Sequence, residues 1–192
     1  MIPSFNSSGV LPPFLPDDGP TSSASMAPYR ASIADIVESF SGTPERCAIL
    51  DGLLDFREKM RRAGIDQGFQ WIAGSFIENC EKTRERPPKD VDVVTFARRP
   101  TQHEMQDDWR KFVANNHEIF STKQVKEAHD CDAYYVDLSL PSELVVSQSR
   151  FWFGLFSHQR ATYLWKGILQ VSLADDDAAA RALLAGGITN AS

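Results

Sequence analysis

The stretch WIAGSFIENCEKTRERPPKDVDVVTF, residues 71–96, contains the pattern that decides the fold. An apolar strand predicted at residues 70–73 ends in Gly74-Ser75, and a charged loop follows. Asp90-Val91-Asp92 then opens a second strand, predicted at residues 91–96, which is rich in the β-branched residues that favour sheets. Because alternate strand residues point to one face, Asp90 and Asp92 should lie side by side, with Cα atoms about 7 Å apart.

Two carboxylates at this spacing suit a hard divalent cation such as Mg²⁺, which prefers oxygen ligands and shares them with substrate phosphates. The Asp-x-Asp spacing is weak evidence by itself, because it also occurs at Asp130/Asp132 and at Asp175/Asp177. Only the first pair has Gly-Ser at the end of one strand before it and an apolar strand after it. The alternative interpretation is a solvated turn that enters a strand.

The remaining pattern predicts a mixed helix and strand order. Helices are expected at residues 44–63, from 101 onward behind a Thr-Gln-His-Glu capping box, at 141–156, and from a cap at Asp175 to 184. Further strands are expected at residues 133–138 and 163–173. This order predicts an α+β fold, a two-layer α/β arrangement with a small mixed sheet flanked by helices.

Residues 1–28 differ in composition from residues 29–192, which we expect to form the domain. Six of the 11 prolines lie in this Pro/Ser-rich arm, and its only charges are Asp17 and Asp18. Apolar residues in it suggest an arm that lies over the domain, with a mobile part near residues 21–26. The alternative is a disordered tail.

The whole-chain composition narrows the function classes. The 192 residues carry a net charge of -6, which argues weakly against general nucleic-acid binding and leaves a local basic patch open. No apolar run of about 18 residues predicts a membrane span, and no secretory signal pattern begins the chain. The cysteines, odd in number and far apart, favour a reducing compartment, so we expect a cytoplasmic protein.

Strand, Gly-Ser, loop, Asp-x-Asp and apolar strand together resemble the polymerase-β-like nucleotidyltransferase superfamily. More narrowly, the chain resembles DUF6932, a family of small bacterial proteins related to the minimal nucleotidyltransferases. The similarity covers nearly the whole chain, including residues 2–6, 9–13, 71–76, 88–94, 151–156 and 166–168. Lys166 matches a motif position, although a strand lysine is usually exposed.

The resemblance implies a role for each matching residue. Gly74 and Ser75 match the turn that binds a nucleoside triphosphate, and Asp90 and Asp92 match the first two carboxylates that bind Mg²⁺ or Mn²⁺. The third carboxylate lies on a neighbouring strand. Asp132 is favoured because the superfamily acid usually precedes the apolar run, and Asp137 is the alternative.

Basic residues flank the acid pair, and Arg84, Arg86 and Lys89 are candidates for binding the triphosphate. The alternative is a solvated charged loop. This loop places 13 residues between Phe76 and Asp90, which is more than in the usual small members of the family. The loop also lacks the glycine that is common there in the superfamily.

Two functions follow from the resemblance. The first is a transferase that moves a nucleotidyl group to a hydroxyl of a protein, an RNA or a small molecule, in a bacterial toxin–antitoxin or phage-defence system. The second is a catalytically silent module that binds a toxin, an antitoxin or another protein partner. Retention of both acids favours the enzyme, and the long loop favours the silent module.

Overall fold

The computed structural model describes residues 2–189 and contains a five-stranded mixed sheet. The strands are β1 (Tyr29–Arg30), β2 (Gly68–Ala73), β3 (Val91–Ala97), β4 (Cys131–Asp137) and β5 (Leu169–Ser172), in the spatial order β1-β5-β2-β3-β4. β2 runs antiparallel to β3 and β5, whereas β3 and β4 are parallel. The predicted α+β class with a small mixed sheet flanked by helices is therefore confirmed.

Eight α-helices connect and cover the strands in the described part of the chain. They are α1 (Ile33–Phe40), α2 (Pro44–Arg62), α3 (Cys80–Arg84), α4 (Gln106–Asn115), α5 (His117–Phe120), α6 (Thr122–His129), α7 (Ser142–Phe156) and α8 (Asp177–Thr189). None of the helices in residues 2–189 has both the length and the apolarity that crossing a membrane requires.

Helix α2, 19 residues long, packs on one sheet face, and its sequence accounts for its first and last residues. The Thr43 side chain accepts a hydrogen bond from the backbone nitrogen of Arg46, and Pro44 occupies the first turn. The apolar stripe expected from the sequence is buried. Ile49, Leu53, Phe56 and Met60 are fully buried, and Ala63, the fifth member, is partly buried. Gly64, at a φ of +84°, follows the helix end, so the predicted helix at 44–63 is confirmed within one residue.

The two faces of the sheet are covered differently. On the α2 face, the buried Arg57 guanidinium binds Gln70 of β2, the carbonyl of Ser172 and both oxygens of Asp177, which fixes the start of α8 over the sheet. On the opposite face, Trp152 of α7 packs on Tyr134 of β4 with ring centroids 4.5 Å apart. The acids of the site lie on this second face.

Several predicted boundaries were wrong for reasons that involve distant residues. The strand expected at 163–173 begins only at Leu169, because Lys166 N bonds to the carbonyl of Ser157 and Gly167 N to that of Leu11. The capping box at 101–104 forms a single 3₁₀ turn, and α4 starts later, at Gln106. The carboxylate of Asp175 accepts from the backbone nitrogen of Ile33, at the start of α1 rather than of α8.

The N-terminal arm lies against the domain and reaches the region of the site. Val10 and Leu11 are buried. The carbonyl of Gly9 accepts from the backbone nitrogen of Asn79 at 2.8 Å, and the carbonyl of Leu11 accepts from Gly167 at 2.8 Å. Residues 23–25, in the part expected to be mobile, form a 3₁₀ turn. The arm thus joins two segments that are far apart in sequence.

Candidate functional site

A cavity of about 560 Å³ opens at one edge of the sheet, where β2 ends and where β3 and β4 begin. Charged side chains dominate its lining, and both signs are represented. The cavity is lined by Gly74, Ser75, Glu78, Arg84, Arg86, Asp90, Asp92, Lys126, Asp132, Lys166 and by residues around 155–162. A strongly charged concave site of this kind favours a charged ligand over an apolar one.

The strand register brings the predicted acids together. β3 and β4 are parallel, and Asp92 is paired directly with Asp132. Directly paired residues of neighbouring strands point to the same face, and the strands lie about 4.8 Å apart. Asp90, one residue before β3, lines the same cavity.

Asp137, the alternative third acid, lies at the far end of β4 and on the opposite face. One of its oxygens accepts from Arg99 Nε at 2.7 Å and the other from the backbone nitrogen of Ser139 at 2.8 Å. The geometry therefore places Asp132, and not Asp137, beside Asp92. Asp137 lies five residues after Asp132 on the same strand, so its side chain points to the opposite face of the sheet. On that face it forms a structural ion pair with Arg99.

Gly74 is required where β2 turns into the cavity. Its φ is +78°, and a Cβ built there would lie 1.8 Å from Oδ2 of Asp92. Any side chain at this position would displace the carboxylate. The Gly-Ser turn and the second acid are thus neighbours in space, although the long charged loop separates them in sequence.

The environment of Asp92 opposes its ionisation. Burial, and then the charges of Asp90 and Asp132, raise its pKa from 3.8 to about 6, while Lys166 and Arg160 act in the opposite direction. Accumulated negative charge of this kind is relieved by binding a cation or a proton.

Lys126 of α6 already supplies a positive charge at these acids. Its Nζ lies 2.6 Å from Oδ2 of Asp90 and 3.6 Å from Oδ2 of Asp132. The hydrogen bond with Asp90 is the main cause of the raised pKa of Lys126. Within residues 2–189, no three His, Cys, Asp or Glu side chains are arranged to bind one metal ion. The acids are of the right chemical type for such an ion, but a lysine lies between two of them.

Glu78 is the centre of a second, buried charge network in the cavity wall. Lys166 Nζ donates to Oε1 of Glu78 at 2.5 Å and to the carbonyl of Gly74 at 2.9 Å. Oε2 of Glu78 accepts from Arg84 at 2.5 Å and from Gln159 at 2.9 Å. The network connects the Gly-Ser turn, α3 and the segment after α7. The expectation that Lys166 is exposed was wrong: it is almost fully buried, and burial lowers its pKa.

The predicted basic residues are only partly brought to the cavity. Arg84 and Arg86 line it, whereas Lys89 is exposed and is not among its lining residues. Arg160, which sequence reasoning did not select, lines the cavity from the segment after α7. Lys126 was missed because α6 was not predicted. The eight residues Thr122–His129 include a single buried apolar residue, Val125, which is too little for a prediction from the period of the apolar residues.

Arg46 connects helix α2 to the segment that follows the Gly-Ser turn. Its guanidinium is buried and donates to the carbonyls of Phe76 and Glu78, at 2.6 and 2.7 Å. Its Nε also pairs with Glu81 at 2.5 Å. These bonds fix the backbone that follows the Gly-Ser turn, so the role of Arg46 is structural.

The structure thus defines an α+β protein with a carboxylate-lined, charged cavity at the edge of a mixed sheet. The model of the family of unknown function DUF6932 matches residues 3–172, and the chain belongs to that family. Comparison with the curated proteins and with the solved structures found no match.

Proposed function

We propose that the protein transfers a nucleotidyl group from a nucleoside triphosphate to a hydroxyl group, with Mg²⁺ or Mn²⁺ as the cofactor. The observation that carries the proposal is the convergence of Asp90, Asp92 and Asp132 with the Gly74-Ser75 turn in one cavity. This arrangement was expected from the resemblance to the polymerase-β-like nucleotidyltransferases.

Asp90, Asp92 and Asp132 offer the carboxylate oxygens that hard cations prefer, and they would hold the cation only after their side chains rearranged and Lys126 left Asp90. The bound cation would neutralise the charge that develops on the transferring phosphate and on the leaving pyrophosphate. The raised pKa of Asp92 supports this assignment, because the same burial and negative charge that oppose ionisation favour a cation.

The triphosphate would lie against the Gly-Ser turn and the basic wall of the cavity. Ser75 offers a hydroxyl, and the guanidinium groups of Arg84, Arg86 and Arg160 offer donors that suit phosphate oxygens. Lys166 is held by Glu78, so its role would be to position the Gly74 carbonyl.

In the reaction, the acceptor oxygen attacks the α-phosphorus and forms a new P–O bond. The bond from the α-phosphorus to the oxygen that leads to the β-phosphate breaks, and pyrophosphate leaves with that electron pair. The hydroxyl proton would pass to a carboxylate of the cavity, and we propose Asp132, the second residue of β4, for this role because it lines the cavity. The acceptor is a protein, an RNA or a small molecule. We also propose that the protein acts with a protein partner in a toxin–antitoxin or phage-defence system, and this part of the proposal is supported by the family resemblance alone.

One observation favours the alternative, a catalytically silent binding module. Lys126 already neutralises Asp90 and approaches Asp132, as a lysine would where no cation is used. Such a module would keep the fold and the cavity and would use its surface to bind a protein partner.

A single experiment separates the two functions. The protein would be incubated with α-³²P-labelled nucleoside triphosphates, Mg²⁺ or Mn²⁺ and bacterial extract. Label on a macromolecule or small acceptor, and release of pyrophosphate, are expected for the wild type. The Asp90→Asn/Asp92→Asn variant should transfer none, while Asp137→Asn, which changes an acid outside the cavity, should keep transfer if it remains folded. Equal signals from the wild type and the double variant would refute the transferase proposal.

A further inference from the structure

Glu78 is a buried carboxylate of the cavity wall to which the proposed reaction gives no role. Its side chain is 3 % exposed and accepts from Arg84, Lys166 and Gln159, which belong to three separate segments of the chain. We infer that Glu78 is a positioning residue that holds the guanidinium group of Arg84 as the main ligand of the substrate's polyphosphate group. This role rests on the proposed function but needs no metal ion, because side-chain cations of the protein meet the anion.

The charge of the cavity favours an anion. Its lining contains five Lys or Arg side chains against four Asp or Glu side chains, although the whole chain has a net charge of -6. Lys126 is held by aspartates of the lining. Glu78 faces two cations, Arg84 and Lys166, so this network keeps a positive charge beyond the one that the carboxylate neutralises. Surplus positive charge in a concave surface attracts anions.

Arg84 is oriented by Glu78 and keeps donors free for a ligand. One terminal nitrogen of Arg84 donates to Oε2 of Glu78 at 2.5 Å, and this is the only hydrogen bond of its side chain among residues 2–189. A guanidinium group carries several N–H donors in a fixed fork, so most of them remain available. The side chain is 35 % exposed and lines the cavity. A fork held in this way suits the oxygens of a phosphate group.

The other two arginines of the cavity are not oriented before a ligand binds. Arg86 donates only to the carbonyl of the next residue, Pro87. Arg160 has no hydrogen bond or ion pair within the described part of the chain. Ordering a long side chain on binding costs conformational entropy, and Arg84 has already lost that freedom in the folded protein. The same anion should therefore depend more on Arg84 than on Arg86 or Arg160.

Glu78 also fixes Arg84 relative to the Gly-Ser turn. Lys166 Nζ bridges Oε1 of Glu78 and the carbonyl of Gly74, at 2.5 and 2.9 Å. The backbone nitrogen of Glu78 donates to the carbonyl of Ser75 at 3.1 Å. The turn and the arginine fork are thus held on one buried carboxylate, as two sides of a single phosphate site require.

The variant Glu78→Asp separates position from charge. Aspartate keeps the negative charge but is one methylene group shorter, so it cannot reach all three partners of Glu78. We expect the affinity for inorganic tripolyphosphate to fall roughly tenfold, the effect of losing one hydrogen bond to a charged group. Arg84→Gln should cause a loss of similar size. Because Glu78 acts through Arg84, the double variant Glu78→Asp/Arg84→Gln should bind no more weakly than Arg84→Gln.

The test is isothermal titration calorimetry of the full chain with inorganic tripolyphosphate, in buffer that contains EDTA. Asp137→Asn is the matched control, since Asp137 is also a buried acid paired with an arginine, Arg99, but lies outside the cavity. Its affinity should equal that of the wild type. Urea unfolding measures the stability of each variant, and a purely structural role for Glu78 would lower stability without weakening binding by the folded protein.

A second pair of variants decides the question if Glu78→Asp does not fold. Arg84→Lys keeps the positive charge at a partly exposed position and loses the fork that Glu78 orients. Its affinity for tripolyphosphate should fall roughly tenfold, and Arg86→Lys should cause a smaller loss. Equal losses for the two variants would refute the special position of Arg84.

The outcomes also separate this role from the proposed function. Weaker binding by the Glu78 and Arg84 variants, and not by Asp137→Asn, supports the positioning role. Equal binding by the wild type and Glu78→Asp, or an additive loss in the double variant, refutes it. Label transfer by a wild type that does not bind tripolyphosphate refutes the positioning role while the transferase stands. Tripolyphosphate binding that depends on Glu78, without label transfer, supports the positioning role and refutes the transferase.

Discussion

Replacement of Lys166 by methionine tests whether the buried charge network supports the cavity. Methionine has a similar length but leaves the nearly buried Glu78 carboxylate without one of its two cations, the more deeply buried Lys166, which now lies at 2.5 Å. Breaking one side of a buried ion pair costs about 3–5 kcal/mol. Glu78 keeps Arg84 and Gln159 as partners, so we expect the lower end of that range, about 3 kcal/mol. For a chain of this size, the melting temperature should fall by roughly 6–12 °C.

The assay is equilibrium unfolding in urea, followed by tryptophan fluorescence and fitted with a common slope. Lys123→Met is the control. Because the ion pair of Lys123 with Glu127 is exposed and 3.9 Å long, its loss should change the free energy of unfolding by less than about 0.5 kcal/mol. The double variant Lys166→Met/Glu78→Gln should be at least as stable as Lys166→Met, because it also removes the buried carboxylate charge, for which only the partly exposed Arg84 remains as a cation. A loss below about 1 kcal/mol for Lys166→Met would refute the reasoning, as would a further loss in the double variant.

Three further perturbations have defined outcomes. Gly74→Ala should destabilise the fold by about 1–3 kcal/mol, because its φ of +78° and ψ of −164° form a backbone conformation that is essentially restricted to glycine. It should also abolish label transfer, because its methyl group displaces the Asp92 carboxylate, and unchanged urea unfolding would contradict the expected loss of stability. The hydrogen bond from Arg46 is the main cause of the lowered pKa of Glu81. The ion pair therefore stabilises the fold fully above about pH 4.5, and this stabilisation is lost as the pH falls through the lower pKa that Glu81 has in the folded state. The stability difference between the wild type and Glu81→Gln should therefore shrink in urea titrations below that pH, and a constant difference would rule the ion pair out as its source. Asp132→Asn should weaken Mn²⁺ binding without a large stability loss, whereas Asp137→Asn should lower the melting temperature and leave Mn²⁺ affinity unchanged; the reverse result would reassign the third acid.

Local sequence was sufficient for the elements whose signals are themselves local. The period of the apolar residues and the Thr43-Pro44 start predicted α2 within one residue. The β-branched run after Asp92 predicted β3. The alternation of side chains along a strand predicted that Asp90 and Asp92 share one face, without information about the neighbouring strands. Such features depend on backbone geometry that each segment carries with it.

Elements with weak local patterns were missed because their stability comes from neighbours. Helix α6 is only eight residues long, has a single buried apolar residue, Val125, and is held against β4 and α2. The segment before β5 looked like a strand, yet it pairs with the N-terminal arm and with the end of α7. Tertiary contacts override propensity in both cases.

The sequence by itself determined that two acids, Asp90 and Asp92, follow a Gly-Ser turn at a strand edge, because spacing along one chain fixes which side chains share a face. Only the family resemblance favoured Asp132 over Asp137, because register across two strands is a property of their pairing and not of either sequence. The tertiary structure placed Asp132 beside Asp92 and brought Lys126 to the same carboxylates. Charges from separate elements meet only once the chain has folded, and their balance decides what the cavity can bind.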